Sequence, residues 1–217
     1  LLDSLKERPE APQDEKESDL AIKYLNSNTK NVFITGAGGT GKSYLLKTLV
    51  EQWSNKNIAV VAFTGVAALN VSGETAHKFF KLPPTGALSF IDWKTKVNAR
   101  MRTKYEALEI LILDEVSMAS ADLLDSINNL LKIARRRDEP FGGVRVILFG
   151  DPYQLPPVLD QNDEVAYEKM IERYPMGCWF FEAEGFRSGD FEVIELITNH
   201  RAVSYTHLRA HETVLDL

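Results

Sequence analysis

Three short runs place reactive side chains at the ends of apolar segments. Gly36-Ala37-Gly38-Gly39-Thr40-Gly41-Lys42-Ser43 fits G-x-x-x-x-G-K-[ST]. Glycines at this spacing let backbone N–H groups converge on phosphate oxygens without Cβ clashes. A helix opening at Lys42 would present its positive end to the same anion. Lys42 is then expected to bridge the β and γ phosphates of a nucleotide, and Ser43 to ligate Mg²⁺. The second run, Leu111-Ile112-Leu113-Asp114-Glu115, delivers two adjacent carboxylates at the end of an apolar stretch. Asp114 is expected to hold Mg²⁺ directly or through water, and Glu115 to accept a proton from an attacking water. The third, Leu148-Phe149-Gly150-Asp151-Pro152-Tyr153-Gln154-Leu155-Pro156-Pro157, ends in a proline-stiffened polar loop. The Gln154 amide could there hydrogen-bond a γ-phosphate or its attacking water.

These groups work together only if strands bring them to one edge. Asn31 to Thr35, Ile58 to Phe63, Glu109 to Leu113, Val144 to Phe149 and Phe191 to Leu196 read as strands. Lys42 to Trp53 carries Leu45, Leu46, Leu49, Val50 and Trp53 at a helical period. Gly65 to Val71 and Ala121 to Ile133 read as further helices. Continuous apolar strands alternating with helices predict an α/β fold: a parallel sheet with helices on both faces. Ligands in such folds sit beyond the carboxyl ends of the strands.

Composition sets the outer bounds. The chain has 217 residues, with 25 Lys+Arg against 31 Asp+Glu, a net charge of −6, and 44% hydrophobic residues. That is ordinary globular chemistry, not collagen-like or wholly disordered. Net acidity argues against a protein that is basic throughout and coats nucleic acid, but leaves room for a local basic track. Asp92 to Lys104 is such a track, with Lys94, Lys96, Arg100, Arg102 and Lys104, and Trp93 beside them. A solvated basic loop is the plain alternative. Lys132, Arg135, Arg136 and Arg137 end a helix, where cations complement the dipole, and carry no assigned function. The one cysteine, Cys178, excludes an intramolecular disulfide and any cysteine-cluster metal site. No apolar stretch is long enough to suggest a membrane span.

GAGGTGKS, then TGVAALNVSGETAHKFF from Thr64, then LILDEVSM, then GDPYQLPPV, in this order and spacing, resembles the Pif/RecD-like branch of superfamily 1B DNA helicases. The resemblance covers about residues 17 to 202. It implies a RecA-like P-loop nucleoside triphosphatase domain with a small basic insertion at about 82–105. It implies ATP and Mg²⁺ as cofactors, single-stranded DNA and duplex junctions as partners, and 5′-to-3′ translocation driven by ATP hydrolysis. Repair, recombination and telomere maintenance are the settings it suggests. By the same resemblance Gln154 is the γ-phosphate sensor, and Arg201 resembles the arginine that follows the last strand of the first motor domain and steadies charge on the transferring phosphoryl group. Gly36, Gly38, Gly39, Thr40, Gly41, Lys42 and Ser43 form the nucleotide cradle. The DNA contacts it implies are Thr64, Gly65, Ala67, Asn70, Thr75 and His77. Free N–H groups and hydroxyls at the start of the helix after Thr64 suit a DNA phosphate. Phe79 and Phe80 could stack on bases, but core packing is the favoured reading.

Several features depart from that pattern. The only glutamine ahead of the phosphate loop, Gln13, stands in Ala11-Pro12-Gln13-Asp14, which does not match an adenine-reading motif. A second RecA-like domain, which such motors need, is not in this chain, so nucleotide binding without strand separation is expected. Residues 1–16 read as a charged N-terminal segment beginning at a fragment boundary, with no signal-peptide h-region. Val203 to Thr213, VSYTHLRAHET, resembles a sequencing adapter translated in one frame. Residues 203–217 are therefore expected to be non-native, and the i,i+4 pair His207 and His211 carries no assigned role. The low cysteine usage suits a cytoplasmic setting, nucleoid-associated in a bacterium, nuclear or mitochondrial in a eukaryote. Two other classes remain open: a P-loop ATPase switch acting on protein partners, and a non-motor module with a degenerate phosphate loop. A guanine-specific switch is disfavoured, since Asn55-Lys56-Asn57-Ile58 lacks the aspartate that would read guanine.

Overall fold

The computed structural model describes residues 16–83, 87–155, 157 and 163–198. Among them, six strands form one sheet: β1 (Val32–Thr35), β2 (Ile58–Ala62), β3 (Glu74–Thr75), β4 (Ile110–Asp114), β5 (Arg145–Gly150) and β6 (Glu192–Glu195). The spatial order is β3-β2-β4-β5-β1-β6, and every pairing is parallel. Each strand read from the sequence is found within a residue or two, and the two-residue β3 is an addition at the edge. Parallel pairing needs crossovers, and most of these are helical. α1 (Glu17–Ser27) precedes β1, and α2 (Lys42–Gln52) follows it. α3 (Gly65–Asn70) and α4 (Ala76–Phe80) flank β3, and α5 (Trp93–Lys96) and α6 (Ala99–Glu106) lead into β4. α7 (Ala121–Arg135) joins β4 to β5, and α8 (Glu164–Arg173) and α9 (Glu184–Ser188) precede β6.

The strand side chains alternate between two apolar layers, as period-2 geometry demands. Val32, Ile34, Ile110, Ile112, Ile147 and Phe149 face a cluster containing Leu45, Leu46 and Leu49 of α2 and Leu25 of α1. Phe33, Leu111, Leu113, Val146 and Leu148 face the opposite cluster, with Leu124, Ile127, Leu130 and Leu131 of α7. The sheet is thus covered on both faces. A fully buried Leu or Ile contributes about 1.5–3 kcal/mol, so these two layers dominate the stability. Residues 87–106 share the second layer: Leu88, Trp93, Val97 and Tyr105 lie in the same buried cluster as α7. Trp93 is therefore a core side chain, not a surface aromatic.

The polar side of α7 is buried as well. Asp122, Asp125 and Asn128 recur every three residues on one face, and each is about 1% exposed. Asp122 accepts the backbone N–H groups of Leu88 at 2.6 Å and Ser89 at 2.9 Å. Asp125 accepts the Tyr174 hydroxyl at 2.8 Å and the Gly185 N–H at 2.9 Å. Asn128 accepts the Phe141 N–H at 2.7 Å. One helix thus ties down the Leu88–Ser89 turn, the Phe141 turn and the start of α9 through backbone donors that would otherwise be unpaired.

Removing one of these acceptors strands its donors. Asp122→Ala is expected to cost about 2–4 kcal/mol through the unpaired Leu88 and Ser89 N–H groups. The melting temperature should fall by about 5–10 °C, and an unchanged value would contradict the assignment.

Candidate functional site

The carboxyl ends of β1, β5 and β4 lie side by side. Thr35 is in register with Gly150, and Leu113 with Leu148. The loops after Thr35, Asp114 and Gly150 therefore leave the sheet from one edge, with β1 and β4 about 10 Å apart across β5. The glycine-rich loop, the paired acids and the Gln154 loop share that edge.

The glycine-rich loop needs glycine at its ends. Gly36 has φ of 152°, and a Cβ there would sit 2.4 Å from the Leu196 carbonyl oxygen and 2.7 Å from Thr40 Oγ1. Gly39 and Gly41 have φ of 91° and 93°, backbone that side chains rarely adopt. A Cβ on Gly38, by contrast, would meet nothing within 4 Å. Thr40 is buried and its hydroxyl donates to the Ala37 carbonyl at 2.9 Å. Gly41 is the N-cap of α2, and no side chain caps that end, so its first-turn N–H groups keep their partial positive charge. The Lys42 ammonium donates to the carbonyls of Gly36 and Ala37, the latter at 3.0 Å. Ser43 stands exposed in the first helical turn.

Asp114 ends β4 and is partly buried, and its Oδ1 accepts the Glu115 N–H at 3.0 Å. Its carboxyl is pushed up to about 6, chiefly by burial and then by the neighbouring Glu115 carboxylate. The Glu115 N–H and the Lys42 ammonium pull the other way without cancelling the rise. Glu115 has φ of 54°. A left-handed glutamate costs on the order of 1 kcal/mol and turns the chain sharply between the two acids and a 3₁₀ turn at Val116–Met118.

Gln154 is exposed, and its Nε2 donates to Asp151 Oδ2 at 3.0 Å. Asp151, only 6% exposed, also accepts the Tyr153 N–H at 3.1 Å, and its carbonyl accepts the Gln154 N–H at 3.0 Å. Asp151 thus fixes the turn that carries Gln154. The sequence reading did not single it out. The signal was present, since Asp ahead of Pro at a strand end is an Asx-turn signature.

The second set of residues begins at the end of β2, next to β4, where Ala62 aligns with Asp114. Thr64 is the N-cap of α3, and its hydroxyl accepts the Ala67 N–H at 3.1 Å. That corrects one expectation: the Ala67 N–H is taken by the cap, because a threonine at this position satisfies its own helix start. Gly65 and Asn70 are exposed, whereas Ala67 is buried. Thr75 caps α4 and accepts the Lys78 N–H at 3.4 Å. His77 is half-buried, and burial holds its imidazole below the usual value. Phe80 is fully buried and Phe79 packs edge-on against it at 4.8 Å between ring centres, so core packing holds for both. Arg201 lies outside the described residues, as do His207 and His211. The segment leading toward Arg201 is held by Glu17, whose carboxylate accepts the N–H groups of Ile197 at 2.8 Å and Thr198 at 3.1 Å.

A covered parallel sheet with a glycine cradle at β1 and acids at the neighbouring strand ends defines the P-loop class of nucleotide-binding domains. Within that class, the family model described as PIF1-like helicase matches residues 13–174, and the chain belongs to this family. The chain is similar to "ATP-dependent DNA helicase RRM3" of Saccharomyces cerevisiae, at 33% identity over 202 residues, 88% of this chain and 27% of that protein. It is also similar to "ATP-dependent DNA helicase Pif1" of a Psychrobacter species, at 36% over 178 residues, 81% of this chain and 26% of the other. Among solved structures, Bacteroides Pif1 bound to single-stranded DNA matches with a TM-score of 0.74 at 37% identity, covering 85% of this chain and 42% of that one. A Bacteroides Pif1 complex with ADP-AlF4 matches at 0.75 and 36%, covering 86% and 42%. The chain therefore spans about a quarter of the length of these two curated relatives.

The shifted acid gives a direct test. The folded Asp114 carboxyl titrates near 6 rather than 3.8, so the folded state binds the extra proton between those values. Stability from this group falls as pH rises through that window, and the ionised form costs about 3 kcal/mol at neutral pH. Asp114→Asn should raise the melting temperature of the nucleotide-free chain by about 5–10 °C at pH 7.5, with the gain shrinking toward pH 4. A lower melting temperature at pH 7.5 would contradict the electrostatic account.

Proposed function

We propose that this chain is the first motor domain of an ATP-dependent DNA helicase that moves 5′ to 3′ along single-stranded DNA. The observation that carries this reading is the shared edge of β1, β4 and β5, where a phosphate cradle, two acids and a glutamine leave adjacent strands. The helicase names of the relatives favour DNA over a protein partner as the substrate of the motion.

On this reading the triphosphate lies across Gly36 to Ser43, against the uncapped start of α2. Lys42 exchanges its carbonyl partners for β- and γ-phosphate oxygens. Ser43 and Asp114 suit Mg²⁺: a hydroxyl on the first helical turn, and a carboxyl whose ionised form, disfavoured by burial and by Glu115, a cation would support. The ion would neutralise charge between the phosphates. Glu115 takes the proton of the water whose oxygen attacks the γ-phosphorus as the bond to the β–γ bridging oxygen breaks. Gln154, steadied by Asp151, senses the terminal phosphoryl, and Arg201 steadies charge on it. Thr64, Gly65, Asn70, Thr75 and His77 line the DNA path with hydroxyl, amide and neutral imidazole groups, and Ala67, whose N–H is held by the Thr64 cap, supports the start of that helix from below.

Titration with a fluorescent ATP analogue, with and without Mg²⁺, tests this. Binding should strengthen with Mg²⁺, and Lys42→Ala should weaken it at least tenfold with the fold intact by circular dichroism. Equal binding by parent and Lys42→Ala would overturn the assignment of the cradle.

A further inference from the structure

A groove of about 580 Å³ separates α4 from α6, away from the nucleotide edge. Lys78 and Lys81 line one wall, Arg100 and Lys104 the other. Glu74 is the one carboxylate in the lining, and it pairs with Lys78 at 3.1 Å. Among the described residues, no carboxylate lies within ion-pair distance of Lys81, Arg100 or Lys104. This concentration of positive charge stands on a chain of net charge −6, so it is not a spill-over of general basicity.

The groove is also built rather than merely charged. The Lys104 ammonium lies 3.4 Å from the centre of the Phe79 ring and donates to the Phe79 carbonyl at 3.0 Å. The Tyr105 hydroxyl donates to the same carbonyl at 3.0 Å. Lys104 is thus set in place by a ring face and a carbonyl, which reduces the side-chain entropy lost when it meets an anion. Burial and the neighbouring Lys81 both lower the Lys104 titration, while Glu74 opposes them. A further anion in the groove would relieve that strain.

Lys81 adds a second constraint. It ends α4 in the left-handed region, with φ of 58°, where glycine or asparagine is usual. The left-handed turn points the chain out of α4 at the groove's rim and keeps a long cation there. α4 is capped by Thr75, which is in register with Ala62 at the end of β2. One short helix therefore connects the Thr75–His77 surface to the groove.

We propose that the α4–α6 groove binds backbone phosphates of a single DNA strand, through Lys81, Arg100 and Lys104, as a continuation of the path that begins at Thr64 and Thr75. This rests on the reading of the chain as a DNA motor, and adds a phosphate subsite to it. The lining is dominated by cations suited to phosphate, so its contribution is expected to depend on charge more than on sequence.

The test is fluorescence anisotropy of the 217-residue chain with 5′-fluorescein-labelled oligothymidylate, over a range of salt concentrations. Lys81→Gln/Arg100→Gln removes two phosphate contacts, so affinity should fall about tenfold or more at low salt. The slope of log affinity against log salt should become shallower by about 1.4, at about 0.7 per single-strand phosphate. Lys47→Gln/Lys169→Gln removes the same charge from α2 and α8 and should change the affinity less than twofold. Mg²⁺-dependent binding of the ATP analogue should be unaltered in both double variants. That readout separates failure of the subsite from failure of the nucleotide reading. Equal losses in the two double variants, an unchanged slope for Lys81→Gln/Arg100→Gln, equal competition by polyglutamate, or no oligothymidylate binding by the parent would each overturn the proposal.

Discussion

Asp114 is a carboxyl withdrawn from water and set beside a second carboxyl, so its ionised form is penalised until a proton or a nearby cation offsets the charge. The Lys42 ammonium already pulls in that direction, yet the group still titrates near 6. The balance is physical: burial and like charge each penalise the ionised form, and one lysine that also serves the Gly36 and Ala37 carbonyls does not offset both. A cation brought to this edge would lower the cost of ionising Asp114. A nucleotide brings such a cation as its counter-ion.

Parallel pairing makes the arrangement possible. Because all six strands run the same way, the loops after β1, β4 and β5 emerge together. The apolar layers on either face hold those ends in register to within a residue. Gly36 shows how tight the packing is, since its missing Cβ leaves room for the Leu196 carbonyl at the end of β6. The last strand thus reaches the phosphate cradle through its backbone. Glu17 then grips Ile197 and Thr198 just beyond. The glycine loop, the end of β6 and α1 consequently share one contact region.

The sequence carried much of this plainly, and the reasons are specific. Val32 to Thr35 and Ile110 to Leu113 are buried on both faces, so they appear as unbroken apolar runs, and the glycine-lysine loop follows the first at once. The helix α6 was not legible, because Ala-Arg-Met-Arg-Thr-Lys-Tyr-Glu fully buries only Tyr105, with Met101 partly buried beside the core, too few apolar positions for a stripe. The short helix α5 was hidden for a similar reason, its one buried residue being Trp93. The buried polar face of α7 was not legible, because Asp122 and Asp125 are held inside by backbone donors from segments distant in the sequence. The role of Asp151 was obscured by Gln154, whose amide it holds. The Thr64 hydroxyl accepts the Ala67 N–H, a local capping bond visible in the spacing itself, and keeps its own proton for donation.

The account stands or falls on the charge state of one side chain. Carbon-detected nuclear magnetic resonance of the Asp114 carboxyl across pH, with and without Mg²⁺ and a non-hydrolysable ATP analogue, measures it directly. The predicted result is titration near 6 in the nucleotide-free chain and a fall of at least two units when the nucleotide and metal are bound. Titration at the ordinary aspartate value in both states, with no response to the ligand, would contradict it.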